Sequence, residues 1–333
     1  MFSGDDDEDT KLTTDKKLTS EIISFFSLVF SIFIVIIAYK KISMHMTNKL
    51  IIQIILSEIL DGTNIMLAIF FDLFSNKDYT FENYPIRMGF CTSQIFLGVF
   101  SCLWNLFASF CISLRIFDKM ANQNRIFKNK FLAEYTTTLS YGIPCLLSFI
   151  IWSVQMIRQS SILQGKTYNE YYPEKNIKID FFRYMYCWIS GPIHYVLISI
   201  AFLLIFANFY FSIIKSCRFM KNISRQIQSN DNEESSDTSK LKKMNQMMRS
   251  LILYPSISCL LWLLYFLFQI FAEMANTEGS VHKTFMRNGP GSWILVIIIS
   301  IRQFAFTFLF FWTQGGLKRH VYEFITCKTC KNS

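Results

Sequence analysis

Three charged residues lie inside stretches of sequence that are otherwise apolar. Glu58 and Asp61 interrupt the run from Leu50 to Phe71, and Arg302 interrupts the run from Ser292 to Thr313. A charge at the centre of a membrane helix costs about 2.5–3.5 kcal/mol on insertion scales, so such residues are usually paired or functional. At about 1.5 Å per residue, Asp61 and Arg302 both lie roughly 15 Å into their runs. Both therefore reach the middle of a hydrocarbon layer roughly 30 Å thick.

The other reactive side chains form no catalytic or metal-binding motif. The sequence contains no H-E-x-x-H, G-x-S-x-G or P-loop pattern, and its four His are scattered. Cys327 and Cys330 form a C-x-x-C pair, but only His320 is at hand as a further zinc ligand. We therefore predict no enzymatic activity, no cofactor and no metal site. His194 is expected to line a pocket or to pack, rather than to bind a metal.

Seven apolar runs are long enough to position these residues in a membrane. A spanning helix needs about 20 apolar residues, and backbone groups in lipid must be hydrogen-bonded within the helix. The sequence therefore predicts an all-α membrane protein, a seven-transmembrane helix bundle. Its spans are residues 21–40, 50–74, 88–115, 132–157, 185–214, 250–273 and 292–314. For any single run, a buried helix of a soluble protein is the alternative.

Basic residues predict the orientation of the bundle. Among 333 residues, 52% are hydrophobic and 17% charged, with a net charge of +9. Lys and Arg concentrate in the first, third and fifth loops and in the tail, which places these segments in the cytoplasm. Residues 1–20 are then an extracellular N-terminal segment, 21–314 the transmembrane domain, 215–249 a cytoplasmic loop and 315–333 a cytoplasmic tail. The positive charge points to inner-leaflet lipid and to no nucleic acid.

With the N-terminus outside, two cysteines lie at outer helix ends. Cys91 and Cys187 face an oxidising compartment and are predicted to form a disulfide, although two free thiols are the alternative. A short amphipathic helix is predicted after span seven, on the inner leaflet. Beyond it, Cys327 and Cys330 suit palmitoylation, and an unmodified tail is the alternative.

Short motifs in spans two to six, taken together, resemble one receptor family. They are Leu56–Ile65 in span two, Cys91-x-x-Gln94 with Trp104 in span three, Tyr141–Pro144 in span four, Cys187–Ile189 before span five, and Tyr254-Pro255 with Trp262 in span six. In this order they are similar to the cyclic-AMP-receptor-like family of G-protein-coupled receptors, in the secretin- and adhesion-like superfamily. Span seven departs from the family, since it reads R-Q-F-A-F-T-F-L-F-F-W and not G-F-x-N-x-x-x-Y. This departure concerns the family's activation switch. The positions associated with cyclic-nucleotide recognition are not assignable in this sequence, so cyclic AMP is not implied as the ligand.

The resemblance implies a plasma-membrane receptor that couples an extracellular small-molecule ligand to a heterotrimeric G protein. Helices two and seven are neighbours in such a bundle, so Asp61 and Arg302 are predicted to pair, with Glu58 one turn away. Separate watery cavities are the alternative. The activation hinge is assigned to Pro255 and Trp262. The G-protein cleft is assigned to Arg115, Lys119, Arg218, Lys221 and Arg249, and a role in positive-inside topology alone is the alternative.

Ligand and regulatory sites complete this interpretation. Polar and aromatic residues in the outer halves of spans are predicted to line the ligand pocket: Gln94, Trp188, His194, Tyr195 and Gln269. In the fifth loop, residues 230–239 are polar and are predicted to be disordered. Phosphorylation is predicted at Ser235, Ser236, Thr238 and Ser239, with a solvated spacer as the alternative. A polytopic transporter or channel is the competing function.

Overall fold

The computed structural model is helical throughout the residues that it describes, which are 5–42, 46–74, 84–120, 130–163, 192–215, 236–277 and 290–325. Within them the chain forms seven long helices and one short one. The helices are α1 (Asp5–Lys41), α2 (Met46–Phe74), α3 (Tyr84–Met120), α4 (Lys130–Leu163), α5 (Pro192–Phe209, continued by a π-helical turn, Tyr210–Lys215), α6 (Ser236–Thr277), α7 (Pro290–Thr313) and α8 (Gly315–Ile325). The predicted all-α class is confirmed.

The surface of the bundle is apolar and much of its interior is polar. Phe26, Leu203 and Phe206 expose 66%, 69% and 67% of their surface, whereas Asn208 and Thr307 are fully buried. Soluble proteins show the reverse preference, because water solvates polar groups and excludes apolar ones. A lipid environment accounts for this arrangement, since lipid favours apolar side chains on the outside.

Within the described residues, five helical segments are long and apolar enough to cross a membrane. They are Ile22–Lys41, Ser93–Asp118, Tyr135–Ile157, Ile193–Ser212 and Ser250–Phe268. The chain is therefore a multi-pass α-helical membrane protein. The two helices that carry the charged residues, α2 and α7, are not among the five, so the count of seven spans stays a prediction.

Helix α3 lies at the centre of the bundle and packs against α2, α4, α5 and α6. On the other side, α1 packs against α2, α7 and α8, and α2 also contacts α7. One apolar core joins α3, α5 and α6, including Leu103, Leu197 and Phe266. A second core joins α1, α2, α7 and α8 and contains Ile34 and Phe310. The neighbouring α2 and α7 are the helices that carry the charged residues.

Helices α1 and α6 extend furthest beyond their predicted spans. Helix α1 begins at Asp5, so residues 5–20 add about 24 Å of helix at about 1.5 Å per residue. Its first residues are acidic, which suits the positive end of the helix dipole. Helix α6 begins at Ser236, so residues 236–239 of the segment predicted to be disordered are helical, and residues 230–235 lie outside the described residues. Ser and Asp favour a helix start, and the following residues are mostly good helix formers.

The predicted amphipathic helix is present as α8, but its apolar side packs on protein. Leu317 is fully buried and Val321 is 8% exposed, in the same core as Ile34 and Ala38 of α1. The backbone carbonyl of Gln314 accepts hydrogen bonds from the next helical amides, at 3.0 Å from the Leu317 nitrogen. The apolar residues therefore hold α8 against the bundle, rather than burying it in lipid by that face.

A candidate functional site: a charged cluster shared by four helices

Glu58, Asp61 and Arg302 meet in the interior of the bundle. Glu58 and Asp61 are three residues apart on α2, so both side chains lie on one helix face. The Arg302 Nε donates a hydrogen bond to Glu58 Oε2 at 3.2 Å, and its Nη2 donates to Asp61 Oδ2. The three residues are 3%, 7% and 2% exposed, respectively. The predicted contact between α2 and α7 is thus present, and Glu58 takes part in it directly.

Asn105 of α3 connects this charged group to α6. Its Nδ2 donates to Glu58 Oε1 at 2.8 Å and lies 3.2 Å from Ser57 Oγ. Its Oδ1 accepts hydrogen bonds from Ser258 Oγ at 2.8 Å and from Trp262 Nε1 at 3.1 Å. An amide side chain has two N–H donors and two acceptor lone pairs, and here all four are used. Asn105, fully buried, is the hub of the network.

Arg302 also stacks on aromatic rings of α6. Its Cζ lies 4.0 Å from the centroid of the Trp262 ring and 5.5 Å from that of Tyr265. A planar guanidinium can donate hydrogen bonds in its plane while a ring covers its face. Trp262 therefore contacts the cluster twice, through its ring to Arg302 and through its Nε1 to Asn105.

Ser101 of α3 adds a further contact to Asp61. Its Oγ lies 3.3 Å from Asp61 Oδ1 and 2.9 Å from the Gly98 carbonyl oxygen, and its single proton can be donated to either acceptor. If both carboxylates are ionised, the trio carries a formal charge of −1, which the neutral donors of Ser101 and Asn105 help to disperse. We call Glu58, Asp61, Asn105, Trp262 and Arg302 the charged cluster. It links α2, α3, α6 and α7.

The predicted hinge lies between the charged cluster and one end of α7. Pro255 is buried inside α6, where it removes a backbone hydrogen bond. The hydroxyl of the preceding Tyr254 lies 2.6 Å from Thr313 Oγ1, at the last residue of α7. Trp262 follows two turns later and enters the charged cluster. The segment of α6 around Pro255 is thus attached to α7 at one end and to the cluster at the other.

Of the residues predicted to form a ligand pocket, only Gln94, His194 and Tyr195 have side chains that the structure describes. The Gln94 Nε2 donates to the Asn64 carbonyl at 3.4 Å, and Asn64 Nδ2 donates to the Gln94 carbonyl at 3.2 Å. Gln94 therefore joins α3 to α2. His194 is buried, whereas Tyr195 is 57% exposed on the surface of the bundle, and the ligand pocket stays a prediction. Successive helical residues point about 100° apart, and only one of the two faces inward.

Several predicted sites lie wholly or partly outside the described residues. Of the five residues assigned to the predicted G-protein cleft, Arg115 is the one whose side chain the structure describes, and it is partly buried on α3. Outside the described residues lie Cys187, Trp188, Arg218, Lys221, Ser235, Cys327 and Cys330, and so do the side chains of Cys91, Lys119, Ser236, Thr238, Ser239, Arg249 and Gln269. The disulfide, the palmitoylation and the phosphorylation therefore stay predictions.

Sequence reasoning did not single out Asn105, Ser101 or Ser258. The available signal was an Asn in the middle of an uncharged apolar run, since amides and hydroxyls inside membrane helices commonly hydrogen-bond to a neighbouring helix. Comparison with known protein families and with characterised proteins finds no match to this chain. The charged cluster is therefore the basis on which a function is proposed.

Proposed function

We propose that this chain is a seven-span G-protein-coupled receptor of the plasma membrane, with its N-terminus outside the cell. On this proposal it binds an extracellular small molecule and signals to a cytoplasmic heterotrimeric G protein. The observation that carries the proposal is the charged cluster, because it joins α6 to α2, α3 and α7 through a few hydrogen bonds and ring contacts that a movement of α6 can break. A bundle that signals needs such an element with two packings that a ligand can bias.

The contacts of α6 define what a conformational change has to break. Outward movement of α6 separates Trp262 from Arg302, and separates Ser258 and Trp262 from Asn105. The ion pair between α2 and α7 contains no α6 residue and can persist during that movement. The cluster thus has a fixed part, Glu58, Asp61 and Arg302, and a releasable part on α6. Pro255 precedes the releasable part along α6 and supplies the flexible point.

Ligand-stimulated nucleotide exchange tests the proposal directly. The purified chain in nanodiscs is mixed with a panel of Gα subunits and candidate ligands, including cyclic AMP. We expect at least one pairing to accelerate exchange. Trp262→Phe keeps a ring for Arg302 but removes the donor to Asn105, so basal exchange should rise. Trp152→Phe, on α4, is the matched control and should leave basal exchange unchanged.

Transport is the second candidate, and the same cluster favours it. Ionisable residues buried in membrane helices are common on ion and proton pathways. The Asp61 side chain is also the most accessible of the ion-paired groups, at 10% against 3% for Arg302. Ion currents or solute uptake in proteoliposomes, lost in Asp61→Asn and accompanied by no stimulated exchange, would establish transport in place of signalling.

A further inference from the structure

A continuous row of aromatic rings runs along the outer surface between α1 and α7. Phe30 of α1 stacks on Phe304 at 5.3 Å between ring centroids, Phe304 on Phe308 at 5.7 Å, and Phe308 on Trp312 at 6.0 Å. The three rings of α7 recur every four residues, so they share one helix face. They are 42%, 44% and 62% exposed. We call Phe30, Phe304, Phe308 and Trp312 the aromatic strip.

A fixed positive charge lies at one end of the aromatic strip. The Nζ of Lys318 lies 4.1 Å from the centroid of the Trp312 ring. Lys318 follows Leu317, which is fully buried and anchors α8 to the bundle. Its backbone nitrogen also donates to the Gln314 carbonyl at 3.4 Å. The ammonium group is therefore held next to the strip by helix packing and by a ring contact.

The length of the aromatic strip matches one leaflet of a bilayer. From Phe304 to Trp312 the helix rises about 12 Å, at about 1.5 Å per residue. One leaflet has a hydrocarbon depth of about 15 Å, half of a core about 30 Å thick. The strip begins two residues after Arg302, which sequence position places near the bilayer centre. It therefore extends from the middle of the membrane to a headgroup region, where Lys318 lies.

We propose that the aromatic strip and Lys318 bind one anionic phospholipid. An acyl chain lies along the exposed rings, and the phosphate lies at the Nζ of Lys318. The surrounding charge favours an anionic headgroup, because α8 packs against the end of α1, where Lys40 and Lys41 are exposed. A second copy of this chain on the same face would bring like charges together. This site does not depend on the receptor proposal.

Native mass spectrometry of the full chain with phosphatidylserine and phosphatidylcholine of equal chain length tests the site. We expect the protein to retain phosphatidylserine preferentially, and Lys318→Gln to weaken that retention about fivefold, the effect of one basic residue near an anionic surface. The control is Lys49→Gln, because Lys49 is exposed near the start of α2, at the same end of the bundle. It should change retention little.

Two further measurements show whether the acyl chains or the headgroup is bound. Phe308→Ala should weaken retention of both lipids, since it removes acyl-chain contact from an exposed position without opening the core. Glycerophosphoserine, which has the headgroup but no acyl chains, should not compete. The inference is overturned if Lys318→Gln lowers the retention of phosphatidylserine no more than Lys49→Gln does, or if the two lipids are retained equally. It is also overturned if glycerophosphoserine competes fully, or if Lys318→Gln changes only the monomer–dimer ratio.

Discussion

Two of the buried polar networks among the described residues are built differently. The charged cluster draws on α2, α3, α6 and α7, with ionisable groups at its centre. The second network is neutral and joins only α3 and α5. There, Ser113 Oγ lies 2.8 Å from Asn208 Oδ1 and 2.6 Å from Ser212 Oγ, while Asn208 Nδ2 donates to the Leu106 carbonyl at 3.3 Å.

The difference follows from the cost of leaving a group unsatisfied. A buried charge without a partner is far more costly than a buried hydroxyl or amide without one. The charged cluster therefore needs donors from several helices, and each becomes coupled to the others. A neutral network can be completed within one helix pair. The charged cluster is thus expected to couple the positions of four helices, whereas the neutral network attaches only α5 to α3. The neutral network also adjoins the π-helical turn of α5.

The largest effect should come from removing the shared cation. Arg302→Leu leaves Glu58 and Asp61 buried without their counterion, and breaking a buried pair in this way costs about 3–5 kcal/mol. We expect little folded protein, measured as the monodisperse fraction in size-exclusion chromatography and as a loss of melting temperature.

Compensating variants separate loss of charge pairing from loss of packing. Adding Glu58→Gln and Asp61→Asn to Arg302→Leu should recover much of the folded fraction, because no charge remains. Asp61→Arg alone should abolish surface expression, and adding Arg302→Asp should restore it. If neither combination recovers folded protein, pairing between α2 and α7 is not what Arg302 supplies.

A matched pair of Asn variants compares the two networks directly. Asn105 and Asn208 are both fully buried in membrane helices. Asn105→Ala removes one hydrogen-bond partner from each of Glu58, Ser258 and Trp262. We expect the free energy of unfolding to fall by about 3 kcal/mol, at the upper end for unsatisfied buried groups. The melting temperature should fall, and the thermal transition should broaden if α6 detaches first. An unchanged melting temperature would rule out Asn105 as the hub.

Asn208→Ala should have a smaller effect than Asn105→Ala. It removes only a second hydrogen bond to the Leu106 carbonyl, which lies inside α3 and keeps its helical partner. Ser113 and Ser212 can still bond to each other, so we expect a loss of about 1 kcal/mol. When Asn208→Ala is combined with the triple variant Arg302→Leu/Glu58→Gln/Asp61→Asn, the two losses of stability should add, because the networks share no residue. Marked non-additivity in melting temperatures would show that the two networks form one unit.

The sequence predicted the ionised part of the site but not its neutral part. Glu58, Asp61 and Arg302 are conspicuous because charges in apolar runs are rare and costly. Asn105 has no such signal, since amides and hydroxyls occur throughout these helices, and only packing shows which of them meet. Helix positions followed from hydropathy, whereas the early start of α6 and the outward direction of Tyr195 depend on helix continuation and rotation, which hydropathy does not specify.

The last effect should have the opposite sign, and it concerns the residue next to Arg302. Gln303 is 2% exposed, and neither atom of its amide has a hydrogen-bond partner among the residues that the structure describes. Its Nε2 lies against α2, 3.7 Å from where a Cβ on Gly62 would be. Gln303→Leu should therefore raise the free energy of unfolding by about 1 kcal/mol, because it removes a desolvated amide while keeping similar volume. A melting temperature that falls instead would mean that the amide has a bound partner, such as water, and that the polar interior extends beyond the charged cluster toward α1.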